Sequence, residues 1–246
     1  MNRVFLGLCC CLGLLSEFVS AQELVLAELF TYDGCAHCNL ANRALRSIDY
    51  DSAFKNSVVF LTYHVDYDTH DDYLDSLDHP FSRQRQKELV HKGICNGLFT
   101  PQIVLGGTTC NPFSTRAQFL QMVNAYRVDS IDLAVKSTVS RIDGGFSVMV
   151  EFTEGVPSDW FINLALVQNE RVVSPQSGDN TGSTLRHRNC MLEAIRFEGQ
   201  MLFEESFKMP QSVLKNPEQY AAVFFLQHKQ SGAVRSPQAF PLHQIR

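Results

Sequence analysis

Two near-continuous apolar runs, residues 23–31 (ELVLAELFT) and 57–65 (SVVFLTYHV), bracket a segment in which Leu40, Ala41, Ala44, Leu45 and Ile48 share one helical face. A half-exposed strand alternates apolar and polar residues, whereas an unbroken apolar run is the pattern of a strand covered on both faces in a parallel sheet. Parallel neighbours need a crossover, and the amphipathic segment supplies it, so residues 23–65 read as a βαβ unit. The hand-over from strand to helix is Gly34-Cys35-Ala36-His37-Cys38, which puts two cysteines at the start of the helix.

Beyond a polar, acidic loop (66–79), PFSRQRQKELVHKG has the composition of a mostly solvated helix, with Gly93 placed to end it. TPQIVLGGTTC reads as two short strands joined at Gly106 and Gly107. STRAQFLQMVNAYR reads as a helix capped by Ser114, with Phe119, Leu120, Val123 and Tyr126 on its apolar face. From about Asp129 the texture changes to period-two alternation, as in Phe146, Val148, Val150, Phe152 and in Ile162, Leu164, Leu166. Turn signals fall at 143–145 (DGG) and 169–170 (NE), and further strands are expected at 131–141, 185–197, 201–208, 219–228 and 233–239. The biased stretch SPQSGDNTGS (174–183) is expected to be a long surface loop.

At the N-terminus, one basic residue precedes an apolar stretch from Val4 to Leu15, with small residues before Gln22. This is the pattern of a cleavable secretory signal cut after Ala21, since the run is shorter than the roughly 20 residues of a membrane span. Cleavage takes Arg3 and Glu17 together, so the formal net charge stays at -5, and nothing invites a nucleic acid. The expected product is exported, periplasmic or secreted, with no membrane anchor after signal cleavage. Of 8 cysteines, Cys9, Cys10 and Cys11 leave with the signal, and Cys35, Cys38, Cys95, Cys110 and Cys190 remain. An odd number in an oxidising compartment disfavours a purely structural disulfide framework.

The position of Cys35 at a helix N-terminus exposes its sulfur to unsatisfied N–H groups and the positive end of the helix dipole, which stabilise a thiolate. Cys38, one turn on, reaches the same sulfur, so the pair suits disulfide exchange, with Cys35 the reacting and Cys38 the resolving cysteine. His37 between them adds charge or a hydrogen bond near Cys35 and biases the pair toward an oxidant. A zinc site at this pair lacks a second close-spaced ligand pair, so no metal and no cofactor are expected. Cys95 and Cys110 flank a short strand, and closing that loop suits a structural disulfide. Cys190 is then the odd cysteine, read as a small buried hydrophobe. His64 and Asp66 end the second apolar run, as loop caps or backbone partners, with proton relay to Cys38 the alternative. The cluster Asp66, Asp68, His70, Asp71, Asp72 lacks the glycine and distal glutamate of a calcium loop and reads as a solvated acidic segment.

Strand, Gly-Cys-x-x-Cys, helix, strand, helix, then Thr100-Pro101 opening a strand resembles the thioredoxin superfamily. The resemblance implies that Pro101 is a cis-proline facing the cysteines and that the backbone around Thr100 and Pro101 holds substrate. ELFTYDGCAHCNLAN, YHVDYD, PFSRQRQ, TPQIVLGG and GDNTGSTLRHRN resemble more closely the family of secreted thioredoxin-like proteins named for the "domain of unknown function 1223". That family more often has two serines between the cysteines and two prolines after them, where this chain has Ala36-His37 and Asn39-Leu40, so its redox poise does not carry over. The expected fold is an α/β thioredoxin-like domain (22–128, β-α-β-α-β-β-α) followed by an all-β antiparallel sandwich-like domain (129–246). The expected function is an exported thiol-disulfide oxidoreductase acting on protein or small-molecule thiols and leaning oxidising. The alternative is a non-catalytic binding module whose β half recruits a partner.

Overall fold

The computed structural model describes residues 24–50, 57–65, 75–112, 115–126, 135–152, 158–198 and 202–244. The expected signal, the acidic cluster from Asp66 to Asp72, and Ser114 lie outside these residues. In chain order the elements are β1 (Val25–Thr31), α1 (Ala36–Arg46), β2 (Val58–His64), α2 (Pro80–His91), β3 (Gln102–Leu105), β4 (Thr109–Asn111) and α3 (Arg116–Ala125). There follow β5 (Val135–Ile142), β6 (Gly145–Phe152), β7 (Trp160–Val173), β8 (Leu185–Glu198), β9 (Leu202–Lys208), α4 (Gln211–Lys215), β10 (Tyr220–His228) and β11 (Val234–Pro241).

The elements of the first half come in the expected order, but the architecture they enter is a different one. β11, β10, β7, β8, β2, β1, β3 and β4 form, in that order, one mixed 8-stranded sheet, and β5, β6 and β9 form a separate 3-stranded sheet. This overturns the expectation of a thioredoxin-like α/β domain followed by an all-β antiparallel sandwich. The physical reason lies in β2. All seven of its residues are buried, so an uncovered edge there would expose unpaired backbone beside an apolar strand. β8 covers that edge, pairing parallel to β2 at Thr62 and Cys190. One hydrophobic core then crosses the junction. It joins Leu26 and Phe30 of β1, Leu61 and Tyr63 of β2, and Val104 of β3 to Val167, Met191, Val223, Phe225 and Val234.

On β1, Val25, Ala27 and Leu29 face a second core with Ala41, Leu45, Phe119 and Val123, beneath α1 and α3. The 3-stranded sheet covers a third core, where Phe146, Val148 and Phe207 meet Ile162, Leu164, Phe224 and Leu226.

Four local expectations are corrected. The Asn169–Glu170 turn is absent, because β7 runs on to Val173 with Glu170 opposite Arg188; neither residue is the glycine that a tight hairpin favours. α3 is capped by Thr115 in a capping box with Gln118, which satisfies two backbone N–H groups at once. Leu40 is 49% exposed although it was placed on the apolar face of α1, because the helix seats through Ala41, Ala44, Leu45 and Ile48. α2 is not mostly solvated. It buries Ser82, Arg85, Gln86 and Leu89, and Arg85 is fully enclosed because β1 carries a buried Glu28 that it neutralises.

Candidate active site

The chain turns from β1 into α1 through Tyr32, Asp33 and Gly34, and Cys35 becomes the N-cap of the helix. Its Sγ accepts a hydrogen bond from the Cys38 N–H at 3.2 Å, so one of the unsatisfied donors of the first turn already points at the sulfur. Cys35 and Cys38 are disulfide bonded, with Cα atoms 5.4 Å apart. Cys35 is partly exposed and Cys38 is 1% exposed, which makes Cys35 the sulfur open to attack. His37 is exposed on the first helical turn.

The Thr100–Pro101 peptide bond is cis. The Thr100 carbonyl oxygen lies 3.7 Å from Cys35 Sγ, placed to accept from the thiol once the disulfide is reduced. The buried face of α2 fixes this segment. Gln86 Nε2 donates to the Phe99 carbonyl at 3.0 Å and to Gln102 Oε1 at 2.9 Å, and Gln102 Nε2 donates to the Gly97 carbonyl at 2.9 Å. The expected Cys95–Cys110 disulfide is present and ties the segment after α2 to β4.

The loop at 174–183 lies on the surface as expected, and part of it also docks on the cysteine motif. Asn180 is 5% exposed, and its Nδ2 donates to the Asp33 and Cys35 carbonyls at 2.8 Å each. Asp179 N–H donates to the Gly34 carbonyl at 3.2 Å. Gly178 has φ of +77° and approaches so closely that a Cβ there would lie 3.0 Å from Gly34 Cα. A non-glycine residue is disfavoured on both counts.

Beside the motif lies a buried ionisable cluster that the sequence reading only touched at His64. Far from capping a loop, His64 has its Nδ1 2.8 Å from Asp75 Oδ2 and 3.8 Å from Asp33 Oδ1, and its Nε2 3.8 Å from Cys190 Sγ. His187 Nε2 lies 2.7 Å from Asp33 Oδ1, and Asp33 N–H donates to Asp75 Oδ2 at 3.0 Å. Burial works against charge on His64, but the hydrogen bonds to Asp75 and Cys190 outweigh it and push the imidazole up to about 10. Asp75 is held below the ordinary carboxylate range because the His64 interaction overcomes the effect of its burial. Burial pulls His187 below its usual value despite the attraction of Asp33. Cys190 is fully buried, as expected, yet it faces an imidazole instead of purely apolar neighbours.

Asp33, Asp75, Asn180, His187 and Gln86 were therefore missed as site residues. The available signals were Asp33 directly before GCAHC and the polar alternation of LRHRN inside a strand. Neither can be paired with its partners from spacing alone.

No curated protein matches the chain. In fold it is similar to the crystal structure of an Agrobacterium tumefaciens protein at 22% identity and a TM-score of 0.65, covering 92% of this chain and 98% of that one. It is similar also to HBP35 of Porphyromonas gingivalis at 14% identity and a TM-score of 0.64, covering 92% of this chain and 77% of that one. Residues 26–227 match the family model described as "Protein of unknown function (DUF1223)", and the chain belongs to that family.

Proposed function

We propose that the protein is an extracytoplasmic thiol-disulfide oxidoreductase working through Cys35 and Cys38. The observation that carries this reading is the asymmetry of the pair. A partly exposed sulfur caps a helix beside the Thr100 carbonyl, and its disulfide partner is buried. A substrate thiolate attacks Cys35 Sγ, the S–S bond to Cys38 breaks, and Cys38 leaves as a thiolate that takes up a proton. A second substrate thiolate then attacks the substrate sulfur of the mixed disulfide and releases Cys35. The substrate loses two electrons and two protons, and the Cys35–Cys38 pair gains them. Leu40, Leu98 and Phe99 are exposed next to Cys38 and Thr100 in the chain and suit a polypeptide segment carrying the reacting thiol. Two disulfides in one chain are consistent with an oxidising compartment outside the cytoplasm.

The test is substrate trapping with Cys38→Ser, in which the free Cys35 thiolate attacks a substrate disulfide and no Cys38 thiol is left to displace the substrate from the resulting mixed disulfide. Covalent adducts that vanish in Cys35→Ser/Cys38→Ser are expected. Titration of the wild-type protein against glutathione buffers should show a reversible two-electron couple above the roughly -300 mV typical of structural disulfides. A pair that resists reduction until the protein unfolds, with no adduct, refutes the reading and leaves a binding module.

A further inference from the structure

We propose that Asn180 is a positioning residue of the cysteine pair, which biases Cys35 toward the thiolate and the pair toward an oxidant through the carbonyls beside the sulfur; the inference rests on the redox reading above. Asn180 comes from the connection between β7 and β8, 145 positions from Cys35, and it is 5% exposed against the strand-to-helix junction. Its Nδ2 donates to the Asp33 and Cys35 carbonyls at 2.8 Å each, and the neighbouring Asp179 N–H donates to the Gly34 carbonyl at 3.2 Å. Three consecutive carbonyls leading to the reacting sulfur are thus met by donors of one loop.

A carbonyl oxygen carries partial negative charge, and charge of that sign beside a sulfur opposes its ionisation. Donors on those oxygens cancel part of it. The Cys35 carbonyl matters most, because it also competes for the Cys38 N–H, which lies 3.2 Å from that oxygen and 3.2 Å from Cys35 Sγ. An Asn180 amide on the oxygen weakens its claim on the N–H and leaves that donor to the sulfur. The N–H bond to sulfur strengthens once the sulfur is a thiolate, whereas the disulfide gains little from it, so the reduced form is the one stabilised. Stabilising the reduced form makes the disulfide the stronger oxidant.

The loop holds this amide still. Thr181 N–H donates to the Gly178 carbonyl at 3.2 Å, Ser183 N–H donates to the Asn180 carbonyl at 3.0 Å, and Pro175 is buried. A donor fixed before the reaction needs no reorganisation when charge develops on the sulfur. The titratable groups around Cys35 are Asp33 before it, His37 on the first turn of α1 and Asp179 on the loop, with His64, Asp75 and His187 behind Asp33. The segment 97–102, which faces Cys35 from the other side through the Thr100 carbonyl, carries no titratable side chain. All of these groups remain in Asn180→Ala, so a change in Cys35 ionisation reads the amide itself.

The experiment compares wild type, Asn180→Ala and Asn189→Ala after reduction by a water-soluble phosphine, which acts whatever the biological substrate. The rate of iodoacetamide labelling at Cys35, followed by mass spectrometry as a function of pH, gives the ionisation midpoint of that thiol. Asn180→Ala should raise the midpoint by about 0.5–1 pH unit. In glutathione buffers two glutathione thiols become one disulfide, and their two electrons and two protons pass to the Cys35–Cys38 pair. The equilibrium constant for that reduction should fall about three- to tenfold in Asn180→Ala. Asn189→Ala deletes a comparable bond, from Nδ2 to the Phe60 carbonyl at 3.0 Å, and should lower stability while leaving both values unchanged. NMR of the reduced wild-type protein needs no variant to fold: the Asn180 side-chain amide and the Cys38 N–H should shift with the Cys35 midpoint. An unchanged midpoint in folded Asn180→Ala, an equal shift in Asn189→Ala, or amide resonances that ignore Cys35 ionisation overturns the proposal. Trapped adducts with an unchanged midpoint refute this inference alone, and an Asn180-dependent midpoint without any adduct refutes the oxidoreductase reading alone.

Discussion

Replacing Arg85 by Met tests the central claim about the core, that α2 is anchored through a buried charge on β1. Arg85 Nε and Nη2 each donate at 2.8 Å to the two carboxylate oxygens of Glu28, and both side chains are 0% exposed. The arrangement raises the already high pKa of the guanidinium, because the attraction of Glu28 outweighs the effect of burial. Without Arg85, the donor that reaches the Glu28 carboxylate among the described residues is the Tyr63 hydroxyl at 3.2 Å. Stranding a buried charge in this way costs about 3–5 kcal/mol. That is a large share of the ~5–15 kcal/mol by which a domain is stable. Arg85→Met/Glu28→Leu removes both charges from the core and should be clearly more stable than Arg85→Met alone, because desolvating the pair offsets much of its attraction. The assay is urea unfolding followed by the fluorescence of Trp160, the only tryptophan, which sits in β7 in the other half of the chain. Since one core spans both halves, Trp160 should report the loss caused at Arg85 in the same transition as far-UV circular dichroism. A loss below about 1 kcal/mol in Arg85→Met, or a double variant no more stable than the single, refutes the reasoning.

Glu88 is held below the ordinary carboxylate range because Arg85 and Arg196 together overcome the effect of its burial. A depressed folded pKa stabilises above the unfolded value of roughly 4.3 and is lost as pH falls through the folded one. The stability difference between wild type and Glu88→Gln, read from urea midpoints, should therefore shrink as pH falls below about 5. Asn180→Ala deletes two hydrogen bonds worth about 0.5–1.5 kcal/mol each and should speed hydrogen exchange at Asp179 N–H, which a free surface loop would not show. Gly178→Ala should loosen the same loop, because its left-handed φ costs an L-residue about 1–2 kcal/mol before any contact with Gly34 is counted. Cys95→Ala/Cys110→Ala should lower stability by about 3 kcal/mol in denaturant titrations through the lost loop constraint, leaving the Cys35–Cys38 disulfide intact by mass spectrometry.

The sequence by itself determined the local chemistry of the first half. Unbroken apolar runs specified β1 and β2, the glycines at 93, 106 and 107 marked chain reversals, all three with positive φ, and the strand-to-helix junction put Cys35 on a helix N-terminus. These are local signals, set by periodicity and backbone sterics within a few residues. Partners far apart in the chain were not legible. Glu28 inside an apolar run demanded a cation, but nothing in PFSRQRQKELVH distinguished Arg85 from Arg83, because that choice depends on which face of α2 meets β1. The placement of β8 against β2, the docking of Asn180 on Cys35, and the meeting of Asp33 with His187 join residues more than a hundred positions apart. Period-two alternation says which residues share a face of a strand, not which strand lies beside it, and one sheet or two can satisfy the same pattern. Tertiary structure decided it by covering the buried edge of β2, and that single pairing joined β7, β8, β10 and β11 to the strands of the first half in one sheet with a shared core, leaving β5, β6 and β9 as a separate sheet.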